Sequence, residues 1–228
     1  MFINIQRYNK EKGIYFQKYD VPIKDGMTVL DALFYILDEL DSTLSFRYSC
    51  RGAVCGSCGM FINGSIRLAC KTQIKNLGNE IMIAPLPHLR VIKDLVVDMD
   101  NFFEKYEIIK PYLMPKKPIP EKENKQSIED REKLNEIVDC ILCGCCYSSC
   151  TPAWLNEKYI GPHGLLKAYR FISDTRDDGK KERLKIINSE DGVWRCHTIF
   201  NCMEACPKNI NITGSIQALK RLTLFNKS

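Results

Sequence analysis

Apolar and polar residues alternate in part over residues 2–8 and again over 14–20, on either side of the polar stretch Asn9-Lys10-Glu11-Lys12-Gly13. Strand side chains point to opposite faces in turn, so this two-residue period with a turn-forming break predicts a β-hairpin. The period then changes. Val29, Leu30, Leu33, Phe34, Leu37 and Leu40 fall on one helical face, and Thr28 is placed to cap the N-terminus of a helix running to about Leu40. Apolar runs near 60–63, 66–69 and 81–84 predict short strands. A hairpin, a helix and further strands make a small mixed sheet with a packed helix, the β-grasp arrangement.

A helical segment is expected over about 91–105. Beyond it Pro111, Pro115, Pro118 and Pro120, with charged and polar residues up to Ser127, predict an extended connector. The remainder of the chain reads as helical. Ile128–Val138 is one helix; Leu165, Ala168, Tyr169 and Ile172 make an i, i+3, i+4, i+7 stripe; Ile216, Leu219 and Leu222 mark a terminal helix. The expected layout is α+β: a β-grasp domain with its exit helix over 1–105, a Pro-rich connector over 106–127, and an all-α domain over 128–228.

Composition adds one outlier. Of 228 residues 45% are apolar and 27% charged, an ordinary globular balance, but twelve are cysteine. The N-terminal residues lack the basic segment, apolar run and small-residue cleavage site of a secretory signal. No stretch approaches the roughly 18 consecutive apolar residues of a membrane span. A compartment that keeps thiols reduced is therefore expected, where clustered cysteines bind metal more often than they form disulfides. The net charge of +5 comes from scattered basic residues rather than a patch. Eleven metal-bound thiolates would subtract about 11 charges and cluster cores would return about 5, leaving about −1. No nucleic-acid partner is expected.

Cys50, Cys55 and Cys58 are spaced C-x4-C-x2-C, with Cys70 beyond, which is the spacing of a plant-type [2Fe–2S] centre. The residues between them include Gly52, Ala53, Gly56, Ser57 and Gly59, small enough for backbone N–H groups to approach the sulfurs. A zinc site tends to use paired knuckles around one ion, a pattern this asymmetric run fits poorly.

Cys140, Cys143, Cys146 and Cys150 form the bacterial ferredoxin run C-x2-C-x2-C-x3-C, whose fourth cysteine serves the other cluster. A second run, Cys196, Cys202 and Cys206 followed by Pro207, keeps the overall spacing but holds Ile199 where a cysteine would complete it. Crossing the runs gives Cys140, Cys143, Cys146 and Cys206 to one [4Fe–4S] cluster. Cys150, Cys196 and Cys202 remain for the other, which fits a [3Fe–4S] cluster; a four-iron cluster with a non-thiolate ligand and loss of the site are the alternatives. Cys145 is left over, read as a small buried side chain near a cluster. The fold expectation thereby sharpens to a plant-type ferredoxin-like domain followed by an α-helical ferredoxin-like one.

Longer segments carry a resemblance. Ser49-Cys50-Arg51-Gly52-Ala53-Val54-Cys55-Gly56-Ser57-Cys58-Gly59-Met60, Leu68-Ala69-Cys70-Lys71-Thr72, Lys93-Asp94-Leu95-Val96-Val97-Asp98-Met99, Cys140-Ile141-Leu142-Cys143-Gly144-Cys145-Cys146, Ile160-Gly161-Pro162 and Arg195-Cys196-His197 together resemble the iron–sulfur subunit of succinate dehydrogenases and fumarate reductases. The resemblance implies an electron-transfer subunit, peripheral on the cytoplasmic face of the inner (cytoplasmic) membrane. Its partners would be an FAD-containing flavoprotein and membrane anchor subunits, with electrons passing between FAD and quinone through the three clusters. It also implies a tryptophan and a histidine near the quinone, here Trp154 and His197, beside Ile199. Leu155 stands where a second tryptophan is common, and Thr151-Pro152 replaces the usual Cys-Pro junction. His88 and His163 read as structural. The rival functions are a free-standing ferredoxin-like carrier and the iron–sulfur subunit of a soluble fumarate reductase.

Overall fold

The computed structural model describes residues 1–118 and 121–225; Pro120 of the expected connector and residues 226–228 of the expected helical domain lie outside the described residues. In chain order the elements begin β1 (Phe2–Asn9), β2 (Gly13–Asp20), α1 (Val29–Tyr35), β3 (Gly59–Ile62), β4 (Ser65–Leu68), β5 (Glu80–Ala84), β6 (Val91–Lys93) and β7 (Val96–Val97). They continue with α2 (Asp100–Ile108), α3 (Ile128–Val138), α4 (Cys145–Ser148), α5 (Thr151–Leu155), α6 (Gly161–Ile172), α7 (Lys180–Ile187), α8 (Asn201–Glu204) and α9 (Ile212–Phe225). The chain divides into two compact units. One is Met1–Met99 with Ile141–Ser149; the other is Asp100–Cys140 with Cys150–Ser228.

The first unit is built on a five-stranded sheet in the order β2-β1-β5-β3-β4. The hairpin β1–β2 is in register from Phe2↔Asp20 to Asn9↔Gly13, and β1 pairs with β5 in parallel. The Asn9 side chain closes the hairpin by accepting the N–H groups of Glu11 and Lys12 at 3.1 and 2.7 Å, the local bonding that favours Asn in turns. Ile3 and Ile5 on β1, Ile62 on β3 and Ile81 and Ile83 on β5 are buried with Val29, Ala32 and Leu33 of α1. That helix has the expected cap: the Thr28 hydroxyl accepts from Asp31 N–H, and the Asp31 carboxylate accepts from Thr28 N–H. Its last turn widens over Ile36–Leu40, where Asp41 N–H bonds back to the Ile36 carbonyl at 2.7 Å.

The inward face of β1 continues from Ile3 and Ile5 to Arg7, a charge at a core position and 2% exposed. It is fully answered. Nε donates to Asp94 at 2.9 Å, Nη1 to Asp41, Gln17 and Tyr19, and Nη2 to Thr43. Burial opposes the charge on Asp41, yet hydrogen bonds from Thr43, Tyr19 and Arg7 hold its carboxyl below the usual range. Asp94 also accepts from the N–H of Ser45 at 2.9 Å. This network pins residues 41–45, the approach to the first cysteine loop, to the sheet.

It also explains a correction. The expected helix over 91–105 is instead the β6–β7 pair followed by α2, which starts only at Asp100. Asp94 turns the chain at φ +48 and its carboxylate is spent on Arg7, 87 residues away in sequence. That contact overrides the local apolar pattern.

In the second unit Leu165 and Ala168 of α6 and Ile216 and Leu219 of α9 are fully buried, as their stripes predict. His163 is structural: its ring stacks on Phe102 at 3.9 Å, Nε2 lies 2.8 Å from the Phe102 carbonyl, and burial pushes its pKa down to about 3. Residues 109–112 of the expected connector are held by Arg183 of α7. This fully buried guanidinium donates to the carbonyls of Ile109, Lys110 and Tyr112 and pairs with the equally buried Asp177 at 2.6 Å.

Candidate metal centres

The loop after residue 45 has no regular structure, and side chains steady it. Phe34 of α1 meets Phe46 and Tyr48 edge-on at 5.5 and 4.6 Å, and the Arg51 guanidinium lies over the Phe34 ring at 4.4 Å. Arg51, Ala53 and Gly56 all take positive φ, curling the backbone inward. Its N–H groups then face sulfur. Cys50 Sγ accepts from Gly52, Val54 and Cys55 at 3.4, 3.2 and 3.2 Å, and Cys55 Sγ accepts from Cys50 N–H at 3.5 Å. Burial works against ionisation of Cys55, but hydrogen bonds from Ser57 and Cys50 bring its thiol down to about 6. Cys58, 3% exposed, is pushed up to about 12 by burial and by neighbouring Cys70. Four thiols with N–H donors aimed at sulfur suit a [2Fe–2S] core, whose iron supplies the positive charge that buried thiolates need.

Gly56 is required sterically as well as conformationally. At φ +73, a Cβ there would lie 2.7 Å from Cys143 Cβ and 2.8 Å from its Cα. The segment Ile141–Ser149 thus packs directly on the first cysteine loop, and Ser148 Oγ donates to the Pro87 carbonyl at 2.6 Å. Cys145 is fully buried, as expected, and the hydrogen bond from its side chain, aided by its N–H, lowers the Cys143 thiol.

The two ferredoxin-type runs share one backbone template. Leu142 and Gly144 in the first and Thr198 and Phe200 in the second take φ values of 51, 77, 59 and 72 at matching offsets. The N–H groups of Ser148 and Ser149 bond to the carbonyls of Gly144 and Cys145, and those of Glu204 and Ala205 do the same to Phe200 and Asn201. Cys140 and Cys196 each bond back three residues, to Ile137 and Val193. Ile199 therefore stands in the place of Cys143 with the local fold intact. Phe200 stands in the place of Gly144, in a conformation that costs a bulky residue about 1–3 kcal/mol.

In the second unit, Cys150 before α5, Cys196 at the start of the 196–202 loop and Cys202 on α8 line a single recess. Ile199, Phe200, His197, Tyr159, Thr213 and Ile216 line it too. Burial pushes Cys150 up to about 11, with Cys202 and Cys196 adding to the effect, and Cys202 is raised in the same way. Burial first, and then those three cysteines, also raise the Tyr159 phenol. His197 is exposed at the recess, whereas Trp154, 38% exposed on α5, is not among the lining residues. Tyr159 and Thr213 were not singled out by the motifs; the only sequence signal is that Tyr159 precedes Ile160-Gly161-Pro162. Cys140 follows α3, its carbonyl accepting from Lys167 Nζ at 3.1 Å, and Cys206 follows α8. Among the described residues, no three His, Cys, Asp or Glu side chains gather as round a single ion, and no helix is long and apolar enough to cross a membrane.

Residues 2–104 match the family described as 2Fe-2S iron-sulfur cluster binding domain, and residues 136–210 the 4Fe-4S dicluster domain. The mitochondrial succinate dehydrogenase [ubiquinone] iron-sulfur subunit of Dictyostelium discoideum is 44% identical over 240 aligned residues, covering 99% of this chain and 84% of the relative. Iron-sulfur subunit 1 of the same enzyme from Oryza sativa subsp. japonica is 48% identical over 214 residues, covering 92% of this chain and 76% of that one. A chain of the Mycobacterium smegmatis Sdh1 complex in the apo form superimposes with a TM-score of 0.91 at 27% identity, covering 99% of this chain and 96% of that chain.

Proposed function

We propose that this chain, which belongs to the family of succinate dehydrogenase iron–sulfur subunits, serves its electron-transfer role with three clusters set between an FAD-bearing flavoprotein and a membrane quinone. Cys50, Cys55, Cys58 and Cys70 would hold the [2Fe–2S] centre. Cys140, Cys143, Cys146 and Cys206 would hold the [4Fe–4S] centre, and Cys150, Cys196 and Cys202 the [3Fe–4S] centre. When bound, the clusters supply one-electron carriers, which suits a partner flavin that releases two electrons. The chain's own residues supply the surroundings. Loop N–H groups neutralise thiolate charge at Cys50 and Cys55, and Ile199, Phe200 and Ile216 give the three-cysteine recess an apolar wall.

The observation that carries the reading is the pair of like-folded cysteine runs, one complete and one with Ile199 in place of a ligand. His197 at the recess and Trp154 on neighbouring α5 are the candidate quinone contacts, His197 being the better supported because it lines the recess. Membrane attachment would come from anchor subunits, and 44–48% identity over nearly all of this chain to succinate dehydrogenase iron-sulfur subunits disfavours a free-standing carrier. Affinity purification of this chain from mild-detergent extracts tests the assembly. A flavoprotein and membrane subunits should co-elute, and succinate should bleach the visible cluster absorbance. A chain that elutes alone and ignores succinate contradicts it.

A further inference from the structure

The recess around Cys150, Cys196 and Cys202 contains two buried hydroxyl groups. Tyr159 is 1% exposed and lines the recess together with Cys196. Thr213 is 4% exposed and its Oγ1 lies 3.6 Å from Cys202 Sγ. An iron-bound thiolate carries no proton, so in the loaded site both hydroxyls can only donate.

Both are held rigidly. Tyr159 N–H bonds to the Asn156 carbonyl at 3.1 Å, Asn156 is tied to Asp191 at 2.7 Å, and Ile160 N–H bonds to the Asp191 carbonyl at 2.9 Å. Thr213 sits in the first turn of α9, where Asn211 Oδ1 accepts from Gly214 N–H at 2.8 Å and the flanking Ile212 and Ile216 are buried. Neither hydroxyl depends on solvent for its place.

We propose that Tyr159 and Thr213 are positioning residues that tune the three-thiolate centre, donating hydrogen bonds to Cys196 and Cys202 that favour its one-electron reduction. The inference rests on the proposed three-iron reading of that site. Reduction adds one electron, delivered from the preceding cluster, and leaves the cluster and its thiolates more negative. A donor to thiolate sulfur stabilises that form more than the oxidised one, so it raises the potential. The nearby N–H groups of Ala153 and Met203 are engaged by the carbonyls of Cys150 and Phe200. The hydroxyls are what this sequence adds.

The test is a potentiometric titration of the oxidised-state paramagnetic signal in the intact membrane complex carrying Tyr159→Phe or Thr213→Val. Tyr159→Phe is expected to lower the one-electron equilibrium constant about tenfold, which is about 59 mV. Thr213→Val, losing a longer contact, should lower it about threefold, and Thr213→Ser should restore it; the other two clusters should not move. Unchanged midpoints in both variants, or an equal shift of all three clusters, overturn the proposal while the three-iron reading stands. An unaltered complex with no oxidised-state signal overturns that reading itself. Electron–nuclear double resonance after exchange into D2O gives a second readout. Coupled deuterons that are lost in Tyr159→Phe or Thr213→Val support the proposal, and spectra unchanged from the parent in both variants overturn it.

Discussion

Ile199→Cys is expected to complete the second ferredoxin-type site and change the cluster it holds. Thr198 and Phe200, on either side, have the backbone of Leu142 and Gly144 around Cys143, and the downstream hydrogen bonds repeat at the same offsets. A cysteine at 199 therefore starts where a ligand belongs, with no rearrangement needed to deliver its sulfur. Isoleucine offers no lone pair to iron, so the proposed ligand set of the unaltered site is three thiolates. With a fourth, the oxidised-state paramagnetic signal should disappear, a second four-iron signal should emerge on reduction, and the chain should gain about one iron. Persistence of the oxidised-state signal at full strength, with cysteine present at 199, would contradict the ligand assignment.

The second large effect is on stability. Arg183 and Asp177 are both fully buried, and the guanidinium also satisfies three carbonyls of residues 109–112. Arg183→Met removes the cation and leaves the carboxylate buried with only the N–H groups of Met114 and Gly179. Breaking such a pair costs about 3–5 kcal/mol, so the melting temperature of the loaded chain should fall by roughly 10 °C. Asp177→Leu combined with Arg183→Met should recover part of the loss, because the uncompensated charge is gone. A single variant that melts within a degree of the parent, or a double variant no better than the single, would contradict this account.

Strands β1 to β5 and helices α1, α3, α6 and α9 could be read from the sequence because their signals are local. β1 and β2 alternate, α1 carries its own capping box, and α6 and α9 each bury a regular stripe. The 2Fe-2S and 4Fe-4S domain families were readable because three loops each carry cysteines at short, characteristic spacing. What escaped was long-range. The β6–β7 pair depends on Asp94 meeting Arg7, and no window around residue 94 contains that arginine. Arg183 sits in Gly179-Lys180-Lys181-Glu182-Arg183, a charged stretch that gives no sign of which member is buried. Tyr159 and Thr213 have no motif of their own, and only the fold brings them to the recess of Cys150, Cys196 and Cys202. Trp154 shows the reverse: its nearness to Cys150 in sequence does not bring it into the recess.

The central claim is a ligand count: eleven of twelve cysteines hold three unequal clusters, with Ile199 marking the incomplete one. Iron and acid-labile sulfide analysis of the intact complex, set against the amount of this chain, tests it most directly. The account predicts about nine irons and about ten sulfides per chain. About ten irons would mean that the site at Ile199 holds four irons despite its missing thiolate, and about six would mean that it holds none; either result contradicts the account.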